Sequence, residues 1–143
     1  MIKKRFLFSS FLLLSFFLFL AFVDKKPKIL IIGDSISIGY TPYVKVFFSA
    51  KATISHSRGN AQHTGTGIEK IEEWLGVEQW DIIQFNWGLW DLCYRHPEFK
   101  ENRKRERMND ETDYTIHKYA SNLKSIVSII KKTSAKLIFV TTT

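Results

Sequence analysis

Apolar residues in this chain come as short unbroken runs, and the stretches between them carry apolar positions at helical spacing. "KILIIG", Lys28 to Gly33, is one such run, rich in Ile and closed by Gly, and it predicts a fully buried strand. Thr41 and Pro42 then predict a helix start, with Thr41 as N-cap and Pro42 at the first helical position; Tyr43, Val46, Phe47 and Ala50 are spaced to form its apolar face. "ATIS", Ala52 to Ser55, reads as a second strand and is followed by the polar loop "HSRGNAQHTGTG". Thr66 with Glu69 three residues later forms a capping-box pattern, and Ile68, Ile71, Trp74 and Leu75 give the second helix its buried stripe.

"WDIIQFNWG", Trp80 to Gly88, is nearly continuous in apolar residues and predicts a central third strand. The segment after it, Leu89 to Tyr114, has neither a helical nor a strand period, and loops of that length inside a domain are functional or disordered. Thr115 is placed to cap a helix whose stripe runs through Ile116, Tyr119, Ala120, Leu123, Ile126, Val127 and Ile130. "AKLIFVTTT" is a fourth strand. The alternation β-α-β-α-β-α-β predicts an α/β domain with a parallel sheet and helices on both faces. Ligands in such sheets bind at the carboxyl ends of the strands, near the switch in strand order. Three polar clusters fall there: Gly33-Asp34-Ser35, Asn60 to Gly65, and Asn86 to Asp91.

The first 25 residues stand apart from that domain. Lys3, Lys4 and Arg5 precede an uncharged, mostly apolar run from Phe6 to Val23, the layout of an export segment. The run exceeds a usual signal core and sits at the threshold for a spanning helix, and no A-x-A marks a cleavage site. Residues 1–25 are therefore expected to be a signal peptide or an N-terminal membrane anchor. The domain, residues 26–143, is expected outside the cytoplasm: periplasmic, secreted, or held at the membrane through residues 6–23.

The formal charge of +7 suggests nucleic acid at first sight, but Lys3, Lys4 and Arg5 account for three of those charges. The densest run of charge, "KENRKRERMNDE", Lys100 to Glu111, mixes five bases with four acids and no aromatic interrupts; a solvated loop explains this better than a phosphate-binding stripe. Cys93 is the single cysteine, so no intrachain disulfide forms, and no Cys/His spacing fits zinc. No cofactor or metal is implied.

A serine hydroxyl is a weak nucleophile; it needs a base for its proton and donors for the oxyanion formed when a carbonyl is attacked. Ser35, at a strand-to-helix junction, is well placed for attack. "ILIIGDSISIGY" resembles the first block of the SGNH or GDSL hydrolase family, whose Gly-Asp-Ser supplies the nucleophile. "NAQHTG", Asn60 to Gly65, is similar to the second block, N-x-x-x-S-G, with Thr64 at the Ser position. "WDIIQFNWGLWDL" resembles the third, G-x-N-D, with Gly88 and Asp91 in register and Trp90 at the Asn position.

The resemblance implies a three-layer, flavodoxin-like hydrolase fold, here truncated after the fourth strand. It implies Ser35 as nucleophile, backbone N–H groups of Ser35 and Gly65 as oxyanion donors, and supporting roles for Asp34, Asn60 and Asp91. Asn86, two residues before Gly88 on the same strand face, is the candidate for the missing amide donor. The implied substrate is an acyl ester, either a small molecule or an acylated carbohydrate, with carbohydrate deacetylation as one form of the reaction. The family's D-x-x-H block has no counterpart here, so weak or no activity is expected of this chain. Of His56, His63, His96 and His117, only His63 lies in a motif block; His56 and His96 read as loop residues, and His117 as an exposed residue of the last helix. The competing reading is a membrane-anchored, non-catalytic module that binds glycans through Trp87, Trp90 and Tyr94.

Overall fold

The computed structural model describes residues 25–95, 111–112 and 115–141. The apolar run Phe6 to Val23 and most of the charged stretch Lys100 to Glu111, with His96, lie outside the described residues. Four parallel strands, β1 (Lys28–Ile32), β2 (Thr53–His56), β3 (Ile82–Phe85) and β6 (Lys136–Phe139), form one sheet in the order β2-β1-β3-β6. The helices are α1 (Ser35–Phe47), α2 (Thr64–Leu75), the one-turn α3 (Leu89–Leu92) and α4 (Ile116–Ile130). A two-residue antiparallel pair, β4 (Tyr94–Arg95) with β5 (Glu111–Thr112), brackets the long connection after α3. Among the described residues, no helix is long and apolar enough to cross a membrane.

Strand pairing follows from the apolar alternation across the sheet. Leu30 sits beside Ile83, and Ile32 beside Phe85, so these four side chains share one face. That face packs under α2 and α4 with Ile71, Trp74, Ile126 and Ile130 in the main core. Ile29 and Ile31 point the other way and meet Ile54, Tyr40 and Val44 beneath α1. The two faces therefore carry one helix pair and one single helix, which leaves Ile138 on β6 partly exposed beside Gln84.

Helix starts differ from the expected ones. α1 begins at Ser35 with Asp34 as N-cap, whose carboxylate accepts from the Ile36 N–H at 2.9 Å, so Pro42 lies inside the helix and Thr41 is not a cap. Thr41 instead donates its hydroxyl to the Ser37 carbonyl at 2.6 Å, one turn back. The buried side of α1 consequently runs through Ser37, Tyr40, Thr41 and Val44, whereas Tyr43, Val46 and Phe47 face solvent at 78, 76 and 77 % exposure. With just Gly33 and Asp34 between β1 and α1, the Asp34 cap sets the helix phase. α2 likewise starts before the Thr66 capping box, at Thr64, with the His63 imidazole accepting from the Thr66 N–H at 3.2 Å. Thr115 caps α4 as the sequence predicts, accepting from the Lys118 N–H.

Candidate active site

All three polar clusters emerge on the carboxyl edge of the sheet, because β1, β2 and β3 are parallel and adjacent. The Asn86 N–H donates to the Ile32 carbonyl at 3.1 Å, and the Ala61 N–H donates to the Gly33 carbonyl at 3.0 Å, so the chain just after each strand is stitched across the end of β1. Gly33 is the crossing point: a methyl group there would stand 2.3 Å from Asn86 Oδ1 and 2.7 Å from Ser37 Oγ. Only glycine lets both side chains approach the backbone this closely.

Ser35 is the first helical residue of α1, exposed, and its hydroxyl and N–H have no partner among the described residues. Asp34, by contrast, is buried and committed to capping, which is a structural and not a proton-transfer role. The second cluster shows a similar division. Asn60 closes the loop by accepting from the Gln62 N–H at 2.9 Å, and Gln62 takes a positive φ of 45°. In the first turn of α2 the N–H groups of Thr64, Thr66 and Gly67 are all bonded, to Asp91, the His63 ring and the His63 carbonyl. Gly65 alone in that turn keeps an N–H without a partner among the described residues. Helix N-termini favour negative charge, so both free N–H groups suit a developing oxyanion.

Asp91 is the tie between clusters. It is fully buried, its carboxylate accepts from the Thr64 N–H at 2.9 and 3.1 Å and from the Thr64 hydroxyl, and Asn122 on α4 donates to that same hydroxyl oxygen at 3.1 Å. Thr64 therefore holds α2, α3 and α4 together at the site's edge. Asn86, partly buried, has its carboxamide against Gly33. Trp87 is 3 % exposed and donates its indole N–H to the Ala61 carbonyl, so it is a core residue and no stacking platform. A mostly apolar cavity of about 320 Å³ opens next to Gly88, between Leu89, Leu92, Tyr119 and Phe139. Tyr119 donates its hydroxyl to the Trp87 carbonyl at 3.0 Å, and burial, with the Asp91 charge second, raises its pKa above the ordinary value. Tyr40, on the opposite face, accepts from the Gln84 amide at 2.8 Å and is also raised, chiefly by burial.

The sequence reading missed one pair. His56 ends β2 and is not a loop residue: its Nε2 lies 2.7 Å from Ser37 Oγ, and its Nδ1–H donates to the Ser57 carbonyl at 2.7 Å. That second bond fixes the tautomer, so the neutral ring turns its Nε2 lone pair to the Ser37 hydroxyl. The hydroxyl also lies 2.7 Å from the Asp34 carbonyl oxygen and has a single hydrogen to share. Ser37 is 2 % exposed. The signal for this pair was topological: in a sheet where β2 flanks β1, the last residue of β2 meets the first turn of the helix that follows β1. His63, the histidine within the motif block, is spent on capping α2, and His117 is exposed as expected. Among the described residues, no group of His, Cys, Asp or Glu could hold a metal ion. Comparison with protein-family models and with curated proteins finds no match to this chain.

Proposed function

We propose that this chain is a serine hydrolase of the SGNH/GDSL type acting on carboxylic esters, with carbohydrate deacetylation as one form of the reaction. The observation that carries the reading is the exposed Ser35 hydroxyl at the carboxyl end of β1, beside two helix N-termini whose Ser35 and Gly65 N–H groups are unpaired among the described residues. Ser35 attacks the ester carbonyl; those two N–H groups, with the Asn86 carboxamide, hold the oxyanion. The strand order β2-β1-β3-β6 is compatible with the first four strands of a flavodoxin-like sheet, and a ligand site at the switch in strand order is consistent with this reading.

Turnover by this chain is expected to be slow, because no imidazole among the described residues contacts the Ser35 hydroxyl. A second reading rests on the 2.7 Å contact between Ser37 and His56, which makes Ser37 the nucleophile and His56 its base, at the cost of burying the attacking oxygen. Hydrolysis of p-nitrophenyl acetate and covalent labelling by a fluorophosphonate separate the two. The first reading expects both to be lost in Ser35→Ala and kept in Ser37→Ala; loss only in Ser37→Ala and His56→Ala moves the nucleophile to Ser37. Undiminished turnover in the Ser35→Ala, Ser37→Ala double variant would sink the hydrolase assignment altogether.

A further inference from the structure

The end of α1 farthest from the candidate site presents Tyr43, Val46 and Phe47 to solvent, each about three-quarters exposed or more, with Phe48 packed edge-on against Phe47 at 4.9 Å between ring centroids. Large apolar groups clustered in this way mark an interaction surface, not a normal scatter of exposed residues. Three observations say what covers it.

The first is where the chain enters the fold. Lys26 donates its ammonium to the Ser49 carbonyl at 2.8 Å, and the Thr53 N–H donates to the Pro27 carbonyl at 2.9 Å, so residues 26 and 27 lie against the end of α1. The apolar run Phe6 to Val23 ends a single residue before Lys25. Any bilayer that holds this run is therefore brought within a few residues' reach of Tyr43 and Phe47. The second is charge. The segments on this amino edge of the sheet carry exposed Lys25, Lys26, Lys51, Lys131 and Lys132, and Lys45 is exposed in the last turn of α1. Its acids are fewer: Glu78, paired with Lys28, Asp81, whose carboxylate accepts from the Lys28 N–H, exposed Glu72 and Glu73 in the last turn of α2, and Asp24 next to Lys25 in the sequence. The third is residue type: tyrosine and phenylalanine flanked by lysines match the headgroup layer, where rings enter the acyl boundary and ammonium groups meet anionic lipid.

We propose that the amino edge of the sheet, with the Tyr43–Phe48 end of α1, lies on an anionic lipid bilayer surface. The proposal rests on the reading of residues 6–23 as a membrane-inserted segment, and its test reports on that separately. A nitroxide label is attached at Phe47→Cys in a Cys93→Ser background of the full chain, mixed with phosphatidylcholine vesicles containing phosphatidylglycerol; a label at Glu69→Cys on the exposed side of α2 is the reference. Flotation with the vesicles checks insertion, and a cooperative melt of each labelled chain checks folding. Docking expects the label at position 47 to collide several-fold less with a water-soluble nickel chelate than the reference does, and to lose that protection when phosphatidylglycerol is left out. A floating chain whose label at 47 is as open to nickel as the reference overturns the docking. Dipolar broadening between labels at 47 on neighbouring chains overturns it in favour of self-association. A chain that does not float overturns the inserted segment and the docking together.

Discussion

Replacing Asp91 with alanine tests the idea that one buried carboxylate aligns two of the three site clusters. Asp91 is completely buried, and it takes both the backbone N–H and the hydroxyl of Thr64, itself fully buried. Without the carboxylate those two donors lose their acceptor in surroundings closed to water, and each orphaned donor costs about 1–3 kcal/mol. Part of that is offset, because a buried carboxylate with no cation beside it among the described residues carries its own desolvation cost, which disappears with it. The net expectation is a loss of about 2–4 kcal/mol, a large share of the ~5–15 kcal/mol by which a domain is stable. Asp91→Asn keeps one acceptor oxygen for Thr64 and should lose only about 1 kcal/mol. Urea unfolding of the full chain in detergent, followed by tryptophan fluorescence, reads both, since Trp74 and Trp87 stack at 6.5 Å in the core next to this tie. The slope should stay constant while the midpoint falls. An alanine variant within about 1 kcal/mol of the parent, or an asparagine variant worse than the alanine, would refute the reasoning.

Gly33→Ala should destabilise by about 1–3 kcal/mol in the same assay, because its methyl group meets Asn86 Oδ1 at 2.3 Å and Ser37 Oγ at 2.7 Å; a neutral midpoint would show that both side chains turn away freely. Tyr119 has its folded pKa raised above the unfolded value of 10.0, so the stability it contributes is whole below pH 10 and is lost as pH rises through the folded value. Tyr119→Phe should therefore flatten the decline in stability above pH 10 relative to the parent; an unchanged slope in alkaline urea titrations would contradict the burial that causes the shift.

The strands were legible in the sequence because each is a short apolar run, and a parallel sheet buried on both sides asks for nothing subtler. β3 is shorter at both ends than its run, since Trp80 donates to the Leu75 carbonyl outside the ladder and Trp87 turns into the core beyond it. α1 was misread from Pro42, which suits a first helical turn but is carried here in the helix interior. What decided its start was non-local: Gly33 admits Asn86 and Ser37 at the strand end, and Asp34 caps at once. The same limit hid Ser37 with His56 and Thr64 with Asp91, separated by 19 and 27 residues, whose meeting depends on strand order and register. Ser35, Gly65 and Asn86 reach one edge of the sheet as expected, whereas Asp34, Asn60 and Asp91 do architectural work.

α1 also acts as a spacer. It starts at Ser35 on one edge of the sheet and ends beside Lys26 on the other, and its 13 residues span ~20 Å at about 1.5 Å per residue. With the lysine edge resting on lipid, that length holds the serine well above the headgroups and facing away from them. On the proposed reading of Ser35 as an ester nucleophile, height then becomes a filter on substrates: esters of the lipids underneath are out of reach, while those on polymers rising from or lying over the surface are at the right altitude.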